Sequence, residues 1–127
     1  MNIKKVIMAT AVLLASQGAI AAGSSSWFEI AHSADYTSYG KKGSFHNAGG
    51  SSSILIQEVG EYDRRVSHYK ASIKNKDCDN GYGVVSYHHL DGKLDFRSEY
   101  MADGNSMTDG LGDLICGFRA LNNGKKT

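Results

Sequence analysis

Five histidines, 13 carboxylate side chains and two cysteines are the groups in this sequence that could ligate a metal or act on a substrate. His88 and His89 are adjacent, and adjacent residues on a strand point to opposite faces, so their imidazoles do not converge on one ion. His32, His46 and His68 fall elsewhere in the chain, and no Glu-x-x-His or Cys-x-x-Cys frame accompanies them. Asp77-x-Asp79-x-Gly81 and Asp103-x-Asn105 have the residue types of calcium loops without the spacing that gathers several oxygens around the ion, and they read as turn formers. No metal and no cofactor is expected.

Acid–base cleavage of a glycoside needs two carboxylates, and Asp95 with Glu99 or Glu58 with Glu61 are the pairs on offer. Asp95 and Glu99 alternate with apolar residues, which is the pattern of a solvated strand face. The serines lack a Gly-x-Ser-x-Gly elbow, and the cysteines are expected to be oxidised. No catalytic residue is assigned, and the chain is expected not to be an enzyme. Seven tyrosines offer a different chemistry, because a rigid ring gives contact area and its hydroxyl a hydrogen bond. Tyr36, Tyr39 and Tyr62 flank expected turns and are the candidate partner-binding residues.

The compartment follows from residues 1–21. Lys4 and Lys5 precede an apolar run of Val6 to Ala15 and the small-x-small site Ala19-Ile20-Ala21, the pattern of a secretory signal peptide. The apolar run is short of the roughly 20 residues a membrane span needs, and no Cys follows it to take a lipid. Residues 22–121 are expected to form one domain, exported to the periplasm or the medium and not a lipoprotein, with 122–127 as a flexible tail. In an oxidising compartment Cys78 and Cys116 pair most simply with each other. Such a closure stabilises a fold by about 4 kcal/mol in the chain-entropy description. The 14 basic and 13 acidic residues are scattered and nearly balanced, which argues against nucleic acid as a partner.

The elements that would position these groups are mostly strands. Residues 27–32 read as a first strand with Trp27 at the core or its edge, 35–39 as a turn, 43–46 as a short second strand, 47–53 as a Gly/Ser-rich mobile loop, and 54–59 as a third strand. From 65 to 75, Ser67, Tyr69, Ala71 and Ile73 alternate with His68, Lys70, Ser72 and Lys74, so one face is wet. Residues 77–81 read as a turn with Asn80-Gly81 as its hairpin dipeptide. Two further strands, 83–90 and 93–100, flank Asp91-Gly92. In the second of them Leu94, Phe96, Ser98 and Tyr100 oppose Lys93, Asp95, Arg97 and Glu99. Ser106 with Asp109 resembles a helix cap, and Leu111, Leu114, Ile115 and Phe118 recur at helical spacing. The order predicts an α+β domain: a curved antiparallel sheet of about five to six strands with a C-terminal helix packed on one face and one disulfide.

That order resembles the surface-adhesin E family of small exported bacterial proteins. The likeness rests on the Trp27 strand, on Tyr69-x-x-x-Ile73 running into Cys78, on Gly92-Lys93, and on a late leucine-bearing helix that reaches Cys116. The resemblance implies a curved sheet with a helix tied to it by a disulfide, and a binding protein, the named representative of the family engaging host matrix and plasma proteins. Two departures stand against it: that representative is a lipoprotein, and this chain lacks a Pro-rich stretch before the helix. The expected function is an exported, non-enzymatic, adhesin-like protein that recognises a protein partner in the envelope or host matrix. The alternative is a periplasmic inhibitor or immunity protein acting on a toxin or a cell-wall enzyme.

Overall fold

The computed structural model describes residues 26–126, so the expected signal peptide lies outside the described residues. Within them the order is β1 (Trp27–His32), β2 (Tyr36–Lys41), β3 (His46–Ala48), β4 (Ser51–Gly60), β5 (Val66–Lys74), α1 (Asn75–Asn80), β6 (Tyr82–His88), β7 (Leu94–Met101) and α2 (Met107–Lys126). The strands form one antiparallel sheet in the order β1-β2-β4-β5-β6-β7, with β3 paired to β4 beyond the end of β2. This is the expected architecture: an antiparallel sheet, a C-terminal helix packed against it, and a single disulfide.

Alternation makes one sheet face apolar, and α2 covers it. Ile54 and Ile56 of β4, Ala71 and Ile73 of β5, Val85 and Tyr87 of β6, and Tyr100 of β7 are buried with Leu111 and Ile115 of the helix. Both edge strands reach α2. Phe118 meets Phe28 of β1 edge-on at 6.3 Å, and the Tyr100 hydroxyl of β7 donates to Asp113 Oδ1 at 2.7 Å. The sheet thus curls around the helix. Ser106 and Asp109 form a reciprocal cap: the Asp109 N–H donates to Ser106 Oγ at 3.0 Å, and the Ser106 N–H to Asp109 Oδ2 at 3.1 Å. Asp109 Oδ1 also accepts the Met101 N–H at 2.8 Å, and these backbone bonds hold the carboxyl below its ordinary pKa. Farther along, Cys116 is bonded to Cys78, 38 residues earlier, and Arg119 Nη1 meets Asp79 Oδ1 at 2.7 Å, so α1 and α2 are joined twice.

Several local expectations need correction. Tyr36 to Tyr39 are strand rather than turn, because Ser33 Oγ accepts the Asp35 and Tyr36 N–H groups and closes the bend at residues 34 and 35, before them. The next strand is shifted to His46–Ala48, and the turn is the pair Gly49-Gly50, with φ of 63° and 81°. Ser51 to Ser53 begin β4 instead of forming a loop. Ser52 is fully buried because its hydroxyl donates to Asn75 Oδ1 at 2.7 Å. Asn80-Gly81 is no hairpin: residues 75–80 are helical and Gly81, at φ 83°, is the left-handed residue that ends α1. Trp27 is half-buried on the face away from α2, 5.9 Å from the His68 ring. Regular helical backbone runs to Lys126, across most of the expected tail.

Gly110, Gly112 and Gly117 interrupt the packed part of α2, and they differ in what surrounds them. A Cβ at Gly112 would overlap the Tyr100 ring, whereas one at Gly117 meets nothing within 4 Å. Gly117→Ala is expected to stabilise the protein by about 0.5–1 kcal/mol through helix propensity, and Gly112→Ala to destabilise it by about 1–3 kcal/mol through overpacking. Urea unfolding of both variants checks the pair, and equal effects of one sign would contradict this account of the helix.

Candidate functional site

Where α2 does not cover the curved sheet, five strands bring polar and aromatic groups together. Tyr36 from β2, Glu58 from β4, Tyr69 from β5, Tyr87 from β6 and Phe96 from β7 share the helix-side face, with His89 and Asp95 beside them. Tyr87 and Phe96 are stacked at 4.3 Å and 12°. Tyr69 stands edge-on to both, at 6.1 Å and 6.2 Å, and lies 5.6 Å from the His89 ring. His89 Nε2 is 3.5 Å from Asp95 Oδ1. Thr108, in the first turn of α2, shares a 2.8 Å hydrogen bond with the Tyr87 hydroxyl and so closes one end of the group.

The electrostatics are one-sided. Burial, and then the charge of Asp95, push the Glu58 carboxyl above its ordinary pKa. Among the described residues no basic side chain forms an ion pair with Glu58. Burial is also the main cause of the raised hydroxyls of Tyr36, Tyr69 and Tyr87, the last to about 12. Glu58 raises all three further, and Asp95 raises Tyr69. The cluster is an aromatic wall holding two carboxylates, with the His89 ring beside Asp95 and, among the described residues, no Lys or Arg in an ion pair with either acid.

Asp95 enters this group through an irregularity in the ladder. Tyr87 pairs with Phe96 and His88 with Leu94, which leaves Asp95 as the extra residue of a bulge. A bulge re-aims side chains, so Asp95 leaves the charged face on which strict alternation puts it. Neither of the two carboxylate pairs on offer in the sequence forms. Glu99 stays exposed, and Glu61 accepts a 2.9 Å hydrogen bond from Thr37 Oγ1 instead of joining Glu58. The pair that forms is Glu58 with Asp95.

The candidate tyrosines are divided. Tyr36 is half-buried in the cluster, Tyr39 is half-buried on the opposite face, and Tyr62, 83% exposed, sits in the β4–β5 turn. The histidines stay apart. His32 lies near Glu29 at 3.6 Å, His68 near Gln57 at 3.3 Å, His46 is exposed on β3, His88 ends β6, and His89 follows it beside Tyr69 and Asp95. Among the described residues no group of three His, Cys, Asp or Glu side chains could hold a metal ion. Asp77 instead accepts the Val84 N–H, and Asp79 pairs with Arg119.

No protein-family model, curated protein or solved structure matches the chain.

A carboxyl whose folded pKa is raised contributes stability in full below its ordinary pKa and loses it as pH rises through the raised value. Glu58→Gln is therefore expected to be more stable than the wild type at neutral pH, the advantage fading as pH falls into the ordinary carboxylate range. Urea unfolding across a pH series measures this. A wild type that is the more stable protein at neutral pH contradicts the assignment.

Proposed function

We propose that this chain is an exported, non-enzymatic binding protein, adhesin-like in its action, and that it grips a lysine or arginine side chain of a protein partner in the aromatic–acidic cluster. The observation that carries the reading is Glu58, a half-buried carboxylate lacking a basic partner among the described residues, set among Tyr36, Tyr69 and Tyr87 with Asp95 at its side. A cation entering here gains the carboxylates and the ring faces together. Cation–π contacts contribute about 0.5–2 kcal/mol, and a charge-assisted hydrogen bond contributes about 1.5–3 kcal/mol more. Export is supported by the N-terminal pattern of residues 1–21 and by the Cys78–Cys116 disulfide. Among the described residues no helix is long and apolar enough to cross a membrane. A partner in the envelope or host matrix makes the protein an adhesin, and a toxin or cell-wall enzyme makes it an inhibitor or immunity protein. Surface or medium location favours the first, and strict periplasmic retention the second.

A second reading is favoured by the same two carboxylates. A raised Glu58 beside Asp95 has the form of a general acid with an ionised companion, as used in glycoside hydrolysis. The binding reading is preferred because Tyr87 and Phe96 stack on each other at 4.3 Å and so do not offer those two faces to a sugar ring, whereas Tyr36 and Tyr69 stand beside the carboxylates.

A lysine-bearing peptide titrated into the protein is expected to shift the NMR signals of Tyr36, Tyr69 and Phe96 saturably, while its norleucine counterpart leaves them in place. Glu58→Gln or Asp95→Asn should weaken the peptide about tenfold, a difference of about 1.4 kcal/mol. Binding indifferent to both substitutions sinks the proposal. Release of reducing ends from cell-wall glycan, lost in both variants, would establish the hydrolase instead.

A further inference from the structure

The opposite end of the helix-side face carries a second concavity of different character. β2 connects the two regions, with Tyr36 at one end in the acidic cluster and Lys41 at the other beside a pocket of about 440 Å³. Phe28, Phe45, Ile54 and Phe118 wall this pocket, and Lys41, Lys42 and Gly43 form its rim. Phe118 of α2 is the central ring, 6.3 Å from Phe28 and 5.7 Å from Phe45. The volume lies within the roughly 300–1,000 Å³ range of small-molecule sites, which are mostly apolar with a few placed polar groups.

The rim is built rather than loose. Ser44 Oγ donates to the Lys41 carbonyl at 2.7 Å and accepts the Leu55 N–H at 3.0 Å, and the Lys42 N–H donates to the Ser26 carbonyl at 2.8 Å. A Cβ at Gly40 would approach Phe28 Cζ at 2.8 Å, so the absence of a side chain there lets the Phe28 ring lie against the sheet. Lys41 and Lys42 are exposed, and neither forms an ion pair among the described residues. The lining has no carboxylate. A wholly apolar occupant would leave the lysines unused, and a small hydrophilic anion would leave the three phenyl rings uncovered.

We propose that this pocket binds a single-chain amphiphile, a fatty acid, with its alkyl tail among Phe28, Phe45, Ile54 and Phe118 and its carboxylate against Lys41 and Lys42. A flexible chain can follow a cleft walled by rings set at different tilts, and burying it is favourable by about 25 cal/mol per Å² of apolar surface. The carboxylate needs only to reach the rim, where the lysine ammonium groups move freely enough to meet it. The site is independent of the acidic cluster, whose two carboxylates would repel this ligand.

The test is calorimetric titration of the purified protein with decanoate below its micelle concentration, with 1-decanol as the uncharged control. Decanoate is expected to bind saturably, with NMR shifts centred on Phe28, Phe45 and Phe118 and none at Tyr69 or Phe96. Changing Lys41→Gln and Lys42→Gln together, at two exposed positions that the core does not use, should weaken decanoate about tenfold and leave 1-decanol unchanged. Phe45→Ala should weaken both. Decanoate that fails to saturate, that binds the lysine variant equally, or that shifts the acidic cluster instead overturns the proposal. Sedimentation with phosphatidylglycerol vesicles without any response to free decanoate also overturns it, in favour of a membrane surface.

Discussion

The position of α2 in the curl of the sheet is the constraint on which both regions of interest depend. A helix interrupted by Gly110, Gly112 and Gly117 has little stability of its own, since each glycine weakens a helix by up to about 1 kcal/mol relative to alanine. It is held at three places instead: by the Ser106–Asp109 cap at its start, by Leu111 and Ile115 packed on the sheet in its middle, and by Cys116 bonded to Cys78. Tyr100 lying against Gly112 brings helix and sheet closer than any larger residue would permit. Where the helix begins, it ends the cover over Tyr87 and leaves the acidic cluster open. Farther along, Phe118 supplies the inner wall of the apolar pocket.

The near-zero net charge of the whole chain hides a separation along β2. Glu58 stands near the Tyr36 end without a basic partner among the described residues, Asp95 beside it meets only the His89 ring, and Lys41 and Lys42 stand at the other end without an acidic partner. Charges at the two ends of a six-residue strand are about 17 Å apart, farther than the ~8 Å over which exposed charges act at physiological salt. Each end therefore presents its own sign to whatever approaches.

How far these features were legible depended on whether a signal was local. The alternation in Val66–Lys74 and Leu94–Met101 and the helical spacing of Leu111, Leu114, Ile115 and Phe118 needed no knowledge of the rest of the chain, and these elements stand where the pattern puts them. Residues 35–39 and 51–53 misled because serine and glycine punctuate turns when isolated, yet Ser52 becomes a good strand residue once Asn75 is there to take its hydroxyl. The acidic cluster was the least legible feature. Its carboxylates are 37 residues apart in sequence, and Asp95 joins Glu58 only because the β6–β7 ladder slips by one residue. A bulge leaves no mark in an alternation that continues on either side of it.

The cluster is set apart by how thoroughly polar groups are satisfied elsewhere. Tyr100 donates to Asp113, Tyr87 shares a bond with Thr108, Ser52 donates to Asn75, and Asp109 accepts two backbone N–H groups. Folded chains keep buried polar groups paired because an unpaired one costs about 1–3 kcal/mol. Glu58 runs against that habit. It is half-buried, pushed toward its neutral form, placed beside a second acid, and given no basic partner among the described residues. A leucine or glutamine at this position would remove that cost at once, and the proposed binding of a cation is what gives a carboxylate here a use.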